Sequence, residues 1–376
     1  ILNEQLSKLI DDTISNSLLN NSNYSINLIN ELKQNITDII ISNDIDFFEI
    51  DSLEKVENNN VDLLYKIYPI KPNYVNQINI YGNTRTYDFV IRRELELIEG
   101  DAIYKRQINK INNKLKSLNL FKSLEVVEKE INENQVNLEI IVEEKQTGTV
   151  NAGLSIGTLD GFAIIAGLNE RNFYGTGRSL KALVNTSEDK TQFTLQTTDR
   201  ILYENNVDIT LKADLKEEDF SKASSYQLDT FITGIGIGYD VNKKLRHNIN
   251  IDYLIKDYSV TNSSKVATAI GNSSGQNVSF LLGNNLYYST LNSGFLPKKG
   301  RLISFNNIIE TPTSSNNGFI KNFITFKQFK NLNKNIISAQ SRIGNVTSLS
   351  NNDILTDDKF SLGGRWLRGF DSYGAG

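Results

Sequence analysis

From Thr147 onward, apolar side chains recur at every second position in one segment after another. Residues 207–215, which read VDITLKADL, are the clearest example. A period of two places neighbouring side chains on opposite faces of a β-strand, so each segment predicts a strand with one apolar face. We count about eleven such segments, most of them about 8 to 13 residues long, whereas strands that span a bilayer need about 9 to 11.

Alternation by itself fits a soluble β-sandwich as well as a membrane barrel. The number and length of the segments favour an antiparallel transmembrane β-barrel. A tight turn at residues 187–190 and a long polar loop at 261–276 suggest the short and long connections of an outer-membrane barrel. Bacterial single-chain barrels close with even numbers of strands. The odd count indicates either that the chain stops before closure or that one strand boundary is misplaced.

Before Thr147 the chain reads as two α+β units. In the first, apolar residues four apart predict two helices within residues 1–43, the second capped by Ser25, and strands follow at 47–53 and 61–67.

The second unit begins after Pro69 and Pro72 with a strand at about 75–80. A helix starting near Thr86 or Asp88 and ending at Gly100 follows, then a second helix from about 104 and two strands between 124 and 144. The unit repeats the first and adds an opening strand, which is the pattern of a tandem α+β module. The absence of methionine, even an initiator, suggests an excised piece of a longer precursor.

We therefore predict three segments. Residues 1–70 form a module without its first strand, residues 71–146 a complete module, and residues 147–376 the N-terminal part of a β-barrel.

The composition excludes several kinds of chemistry. Without cysteine the chain has no disulfide, thiolate metal site or cysteine nucleophile. The single histidine, His247, has no second histidine for a metal site, and we interpret it as a solvated turn residue. A net charge of −4, with basic residues spread along the chain, gives no reason to expect nucleic acid. We predict no enzyme activity, no metal and no cofactor.

Three other sets of residues could have either a functional or a purely structural role. Asp208 and Asp214 could serve as an acid/base pair, but their alternation favours the lining of a wet lumen. The glycine clusters around 175 and 236 resemble phosphate loops, yet no helix pattern follows them, so we reject that motif. Arg92 and Arg93 suggest a solvated helix face, with a docking surface as the alternative.

Near the C-terminus, residues 363–370 read GGRWLRGF and hold three glycines, two arginines and the only tryptophan. Glycines permit close approach of the backbone, and arginine offers a planar fork of five donors. Such a loop is suited to docking. A glycine-rich surface turn is the plain alternative.

Several segments resemble one known family. They are INIYGNTRTYDFVIRRELELIEGD at 78–101, LFKSLEV at 120–126, VEEKQTGTVNAGLSIGTLDG at 142–161, LNERNFYGTGRSL at 168–180, SGFLPKKG at 293–300 and LRGF at 367–370. In this order they resemble the BamA family of outer-membrane protein assembly factors, within the POTRA plus outer-membrane β-barrel superfamily. Leu367 stands where that family often has valine.

The resemblance implies periplasmic POTRA modules and a barrel that is 16-stranded in the family. Such proteins fold and insert other β-barrel proteins into the outer membrane of a Gram-negative bacterium, without nucleotide or metal. Implied partners are unfolded outer-membrane proteins, periplasmic assembly lipoproteins and outer-membrane lipid.

The resemblance also implies roles for particular residues. The first barrel strand would form a lateral gate with the last strand, at Val150, Ala152, Gly153, Leu154, Ile156 and Gly157. The loop motif Leu367, Arg368, Gly369 and Phe370 would fold into the lumen, and Glu99 would contact a lipoprotein subunit. The alternative function is a POTRA-barrel transporter that secretes polypeptides, of the two-partner or autotransporter-assembly type. A barrel-anchored enzyme would need a motif such as GxSxG, which we do not find.

Overall fold

The computed structural model contains two compact units, Ile1–Gly82 with Leu95–Glu143 and Asn83–Glu94 with Glu144–Gly376. The residues it describes are 4–19, 25–43, 45–57, 60–157, 161–201, 207–294, 296–313, 318–332, 335–351, 353–360, 362–363, 367 and 369–370. Within these ranges, no helix combines the length and apolar character needed to cross a membrane.

The first half of unit 1 follows the sequence prediction. Its helices are α1 (Glu4–Leu19) and α2 (Ile26–Ile41), and its antiparallel strands are β1 (Phe48–Glu57) and β2 (Asn60–Pro69). Ser25 caps α2 by accepting a hydrogen bond from the Asn27 N–H, as predicted. Apolar residues of both helices and β1 form one buried core.

The second half contributes a four-stranded sheet. Its elements are β3 (Asn73–Tyr81), α3 (Asp88–Arg92), β4 (Ala102–Ile103), α4 (Lys105–Ser117), β5 (Phe121–Asn132) and β6 (Gln135–Glu144). The strand order is β4-β3-β6-β5, with β3 parallel to β6. Ile111 and Leu115 of α4 are buried, as are Leu138 and Ile140 of β6. Segment Asn83–Glu94, which includes α3, belongs to unit 2.

Helix α3 is shorter than the sequence predicted. It ends at Arg92, and Glu96 has a left-handed backbone conformation with φ of 51°, so a right-handed helix cannot continue to Gly100 as predicted. Leu95 and Leu97 are nevertheless buried. Their apolar character reflects burial in the core and does not indicate a helix. The predicted caps are also wrong: the N-cap is Tyr87, and it makes no side-chain cap bond.

All eleven predicted barrel segments are strands. They are β7 (Gly148–Gly157), β8 (Gly161–Phe173), β9 (Arg178–Thr186), β10 (Lys190–Ile201), β11 (Val207–Asp219), β12 (Tyr226–Asn242), β13 (Leu245–Val260), β14 (Gly275–Ser289), β15 (Gly300–Pro312), β16 (Phe319–Leu332) and β17 (Asn335–Ser348). They form one sheet in sequence order, every neighbouring pair antiparallel. Two short helices, α5 (Ser221–Ser224) and α6 (Thr268–Asn272), interrupt the connections.

The sheet has an outer face of exposed apolar side chains, such as Phe193, Leu211 and Ile251, and an inner face that carries polar ones. We call the end where β7 begins the entry end and the opposite end the far end. In an antiparallel meander, alternate connections share an end. The turn at 187–189 and the loop at 261–274 therefore both lie at the far end, so our interpretation of them as opposite sides was wrong.

Glycines Gly234, Gly236 and Gly238 of β12 share the inner face and leave room for side chains to cross that strand. Lys212 of β11 reaches over β12 to Asp252 of β13, with Nζ to Oδ2 at 2.8 Å. A Cβ at Gly234 would lie 2.0 Å from the Asp252 Oδ1. Close approach of neighbouring side chains thus accounts for Gly234 and Gly238, whereas a Cβ at Gly236 would meet only ordinary contacts at 3.6 Å or more.

His247 lies within β13 and not in a turn, contrary to the sequence interpretation. Its Nδ1 is 2.9 Å from the Tyr239 hydroxyl on β12, and the two rings meet edge to face.

Candidate functional site

The loop that follows β17 returns to the inner face of the sheet near the far end. Leu355 of this loop is buried in an apolar cluster with Tyr226, Leu228, Tyr258 and Ile270. These four residues come from β12, β13 and α6. Leu355 therefore fixes this part of the loop to the inner wall.

An ion cluster follows directly after Leu355. Lys256 Nζ of β13 lies 2.9 Å from Asp357 Oδ2 and 2.7 Å from Asp358 Oδ1. The Tyr258 hydroxyl donates to Asp357 at 3.0 Å, and Lys321 Nζ of β16 donates to the Asp358 carbonyl at 2.7 Å. The Lys256 side chain is only 11% exposed, so these charges interact with little screening by water.

Phe360 completes the contact. Its ring meets Phe323 of β16 edge to face at 6.2 Å between centroids, and Lys321 Nζ lies 4.6 Å from its centroid. Arg342 of β17 stacks over Phe323 at 4.0 Å. A Cβ at Gly344 would come within 2.6 Å of Phe360 Cζ, so this ring occupies the space that glycine leaves. We call Leu355, Asp357, Asp358 and Phe360 the loop anchor.

The predicted motif at 367–370 lies beyond this anchor. Leu367 is 38% exposed and Phe370 is 52% exposed, and Gly369 has a φ of 94°, which favours glycine. Arg368 falls outside the described residues, so its docking into the lumen stays a prediction. The sequence analysis missed the anchor, although an acidic pair just before a phenylalanine and a glycine pair was visible in TDDKFSLGG.

The predicted gate strand is β7. Its outward side chains are among the most exposed apolar groups of the sheet: Val150 is 79%, Leu154 73% and Ile156 85% exposed. Among the residues with described positions, β7 pairs with β8 alone, for instance Ala152 with Ala166. A Cβ at Gly153 would meet no atom within 4 Å, so packing does not require glycine there. The gate role of this strand, Gly157 included, stays a prediction.

Glu99, the predicted lipoprotein contact, is exposed in unit 1. Its Oε1 accepts a hydrogen bond from the Ile78 N–H of β3 at 3.3 Å. Nothing in this geometry tests a partner contact, and the assignment stays a prediction.

Segment Asn83–Glu94 is held by a hydrogen-bond network that the sequence did not reveal. The Glu144 carboxylate accepts from the backbone N–H of Arg85 at 2.9 Å and of Thr86 at 2.6 Å, and from the Thr84 hydroxyl at 2.9 Å. Asn172 Nδ2 donates to the Thr86 hydroxyl at 2.9 Å. Thr86 immediately precedes Tyr87, the N-cap of α3, and its described hydrogen bonds join it to Glu144 and Asn172.

The turn between β8 and β9 meets the same segment. The Tyr87 N–H donates to the Gly175 carbonyl at 2.9 Å. Gly175 has a φ of 73°, and a Cβ there would lie 2.0 Å from the Arg85 carbonyl oxygen. The glycine cluster near 175 is thus explained by backbone approach to Arg85.

Arg93 is not on a solvated face. Its side chain is 21% exposed, and Nη1 lies 3.3 Å from Asp199 Oδ1 on β10. Arg178 Nε of β9 contacts the other oxygen of Asp199 at 2.8 Å. Arg92, by contrast, pairs with Asp88 one turn away and is 40% exposed, as predicted for a solvated position.

Comparison with known families fits this architecture. A model of the Omp85 superfamily domain matches residues 172–376, more than half of the chain, and the POTRA family, described as a surface antigen variable number repeat, matches residues 73–145. The chain belongs to the Omp85 superfamily.

Several relatives of this Omp85 chain carry the name outer membrane protein assembly factor BamA, which confirms the resemblance found in the sequence. The protein from Nitratidesulfovibrio vulgaris is 24% identical over 342 residues, which are 87% of this chain and 42% of the relative. The protein from Neorickettsia risticii is 23% identical over 322 residues, which are 85% of this chain and 43% of the relative. The chain thus spans less than half the length of these relatives.

Solved structures share the fold. BamA from Haemophilus ducreyi lacking POTRA domains 1–3 superimposes with a TM-score of 0.71 at 20% identity, over 93% of this chain and 70% of that one. CdiB from Escherichia coli gives a TM-score of 0.54 at 13% identity, over 93% and 67% of the two chains. The Omp85 chain therefore combines a POTRA domain with a barrel-type sheet.

The Glu144 network gives this Omp85 chain a pH-dependent contact. Burial would raise the pKa of the Glu144 carboxyl, but hydrogen bonds from Thr86, Thr84 and Arg85 outweigh burial and lower the pKa from 4.5 to about 2. A pKa lower in the folded state adds stability above pH 4.5 that is lost as the pH falls toward 2. We expect Glu144→Gln to lower the free energy of unfolding by about 2–3 kcal/mol at pH 7 and by almost nothing near pH 2.

Chemical unfolding of the detergent-solubilised chain at several pH values measures this difference. Glu143→Gln is the matched control, because Glu143 directly precedes Glu144 on β6. Glu143 is exposed, and its described contacts are with Lys122 and Ser123. A penalty for Glu144→Gln that stays constant from pH 7 to pH 2 would contradict the assignment.

Proposed function

We propose that this chain is part of an assembly factor that folds β-barrel proteins and inserts them into the outer membrane of a Gram-negative bacterium. The observation that supports this most directly is the extent of similarity: BamA assembly factors match 87% of the chain, across both the POTRA and the barrel parts. In this proposal residues 1–70 and 71–146 are POTRA modules in the periplasm, and residues 147–376 belong to the barrel.

The proposed mechanism depends on unpaired strand edges. A backbone group without a hydrogen-bond partner in lipid costs several kcal/mol, so an opened edge of β7 strongly favours an incoming strand. The pairing is between backbones, which makes it tolerant of substrate sequence. The edge strand β5 of the four-stranded sheet offers a second extended surface for an unfolded substrate.

The inner loop has a supporting role in this proposal. The loop anchor holds residues 353–360 against the inner wall, and from there the LRGF motif at 367–370 would extend within the lumen, with Arg368 paired to polar groups of the wall. Glu99 would contact an assembly lipoprotein. None of these steps needs a metal or a cofactor, and within the described residues no group of His, Asp and Glu side chains is arranged to hold a metal.

Site-specific cross-linking tests the gate. Residues 1–376 contain no cysteine, so Leu154→Cys on β7 supplies the single thiol in a full-length protein from which any cysteine elsewhere has been removed. We expect it to form a disulfide with a cysteine in the terminal strand of a substrate barrel during assembly. Ile235→Cys on β12 is the matched control, since it is also apolar and exposed but has a paired strand on each side.

Equal cross-linking at Leu154 and Ile235, or none at Leu154, would refute the gate mechanism. The transporter alternative makes a different prediction. A polypeptide that passes through the barrel would cross-link to the inner face, for which Thr210→Cys on β11 is suitable, since Thr210 shares the wall of a cavity of about 260 Å³ with Asp208 and Lys212. The likeness to CdiB from Escherichia coli concerns the fold alone and does not favour either function.

A further inference from the structure

Three exposed aromatic side chains, Tyr87, Phe89 and Tyr174, lie at the entry end of the sheet. Tyr87 and Phe89 flank the start of α3, are 56% and 52% exposed, and stack with ring centroids 6.0 Å apart. Tyr174, in the turn whose next residue binds the Tyr87 N–H, is 80% exposed. Large apolar groups exposed together on a protein surface mark a place of interaction.

The side of α3 opposite these rings is fixed to the sheet. Val90 is fully buried, and a Cβ at Gly177 would lie 2.7 Å from Val90 Cγ1. The ion pair of Arg93 with Asp199 adds a second attachment. Helix α3 therefore presents Tyr87 and Phe89 away from the sheet while its other side is packed.

The position of Asp199, the partner of Arg93, indicates where on the barrel surface these rings lie. Asp199 is at an odd-numbered position of β10, on the same face as Phe193 and Leu195, which are the exposed apolar residues of the outer face. It is also close to the entry end of that strand. The aromatic rings are thus attached at the border of the lipid-facing surface, where a barrel meets the headgroup region.

We propose that Tyr87, Phe89 and Tyr174 form an interfacial patch that inserts into the headgroup region of the leaflet at the entry end. Tyrosine rings combine an apolar body with a polar hydroxyl and favour this zone over both water and the hydrocarbon core. Phe89 adds apolar area by stacking on Tyr87. A segment within the POTRA match thereby extends the aromatic girdle of the barrel. The inference requires only a membrane-embedded barrel and holds for an insertase or a transporter alike.

Charge does not supply the attraction in this proposal. Arg85 contacts Glu144, Arg92 contacts Asp88, and Arg93 and Arg178 share Asp199. Because these four arginines are paired with carboxylates, they do not require an anionic lipid, and a zwitterionic bilayer suffices as the partner. The depth to which the patch inserts should therefore not depend on the fraction of anionic lipid in the bilayer.

Tryptophan fluorescence in the full-length, reconstituted protein tests the patch. In a full-length protein that carries Trp366→Phe and has had any tryptophan elsewhere replaced, Phe89→Trp is placed in phosphatidylcholine vesicles with brominated acyl chains or with aqueous acrylamide. Leu211→Trp on the outer face of β11 is the lipid-exposed reference, and Ile131→Trp at the end of β5, 48% exposed, is the reference outside the barrel. We expect bromolipid to quench Phe89→Trp at least half as strongly as Leu211→Trp, and acrylamide to quench it less than half as strongly as Ile131→Trp.

If Phe89→Trp behaves like Ile131→Trp with both quenchers, the patch faces water and the proposal is wrong. A depth that increases with the fraction of phosphatidylglycerol in the vesicles would also overturn it, because attraction would then be electrostatic. Should the tryptophan variant fold poorly, a nitroxide attached to Tyr174→Cys gives the same answer. We expect that label to collide more often with oxygen than with a water-soluble nickel complex, and the reverse ratio rejects the patch.

Discussion

Replacing Lys256 by methionine releases the loop anchor from the inner wall. The substitution keeps the length of the side chain but removes the cation that contacts both Asp357 and Asp358. Two carboxylates then remain together in a poorly hydrated site, and breaking a buried ion pair in this way costs about 3–5 kcal/mol. We expect trypsin to cut the loop at Lys359 and Arg365 at least about 100-fold faster, because cleavage follows the population of the open form.

Two variants separate loss of the ion pairs from general damage. Lys298→Met, on an exposed lysine of the loop between β14 and β15, should leave cleavage unchanged. Adding Asp357→Asn and Asp358→Asn to Lys256→Met removes both signs of charge together and should restore most of the protection. Unchanged cleavage in Lys256→Met, or no recovery in the triple variant, would show that charge pairing does not hold the loop.

Substitution Gly175→Ala should disrupt the contact between the β8–β9 turn and segment Asn83–Glu94. The new Cβ would lie 2.0 Å from a backbone oxygen of Arg85, and φ at this position is 73°. The Arg85 oxygen belongs to the backbone and not to a flexible side chain, so the backbone has to move. We expect this to cost about 3 kcal/mol or more of folding free energy. Hydrogen exchange of the Tyr87 amide, which donates to Gly175, should accelerate about 100-fold.

Gly153→Ala is the matched control in the same sheet. An added Cβ there meets no atom within 4 Å, and the residue lies in a regular strand. We therefore expect the free energy of unfolding to change by no more than about 1 kcal/mol. Full protection of the Tyr87 amide in Gly175→Ala would mean that the turn can adjust without losing the contact.

The sheet could be predicted from the sequence because its signal is local. A period of two needs only neighbouring residues, and it located all eleven barrel strands of the described chain. The same local signal failed for α3. Leu95 and Leu97 are spaced as on a helix, but they are buried after the helix has ended at Arg92.

The candidate sites depend on residues far apart in sequence. Lys256 and Asp357 are 101 residues apart, and Thr86 and Asn172 are 86 apart. Periodicity within one segment does not indicate which distant segment it will contact, so the partners of the loop anchor and of Glu144 could not be predicted. The resemblance indicated Arg368, which lies outside the described residues, whereas the described contacts of the loop anchor involve Leu355, Asp357, Asp358 and Phe360.

The glycines of β12 also affect how the wall deforms. Because Lys212 and Asp252 meet across Gly234, and Arg246 contacts Asp208 across the same strand, β11 and β13 are joined directly as well as through β12. Such cross-ties oppose the sliding of one strand along the next, which backbone ladders alone resist only through their own hydrogen bonds. We therefore expect β11, β12 and β13 to slide past one another less readily than strands joined by backbone hydrogen bonds alone.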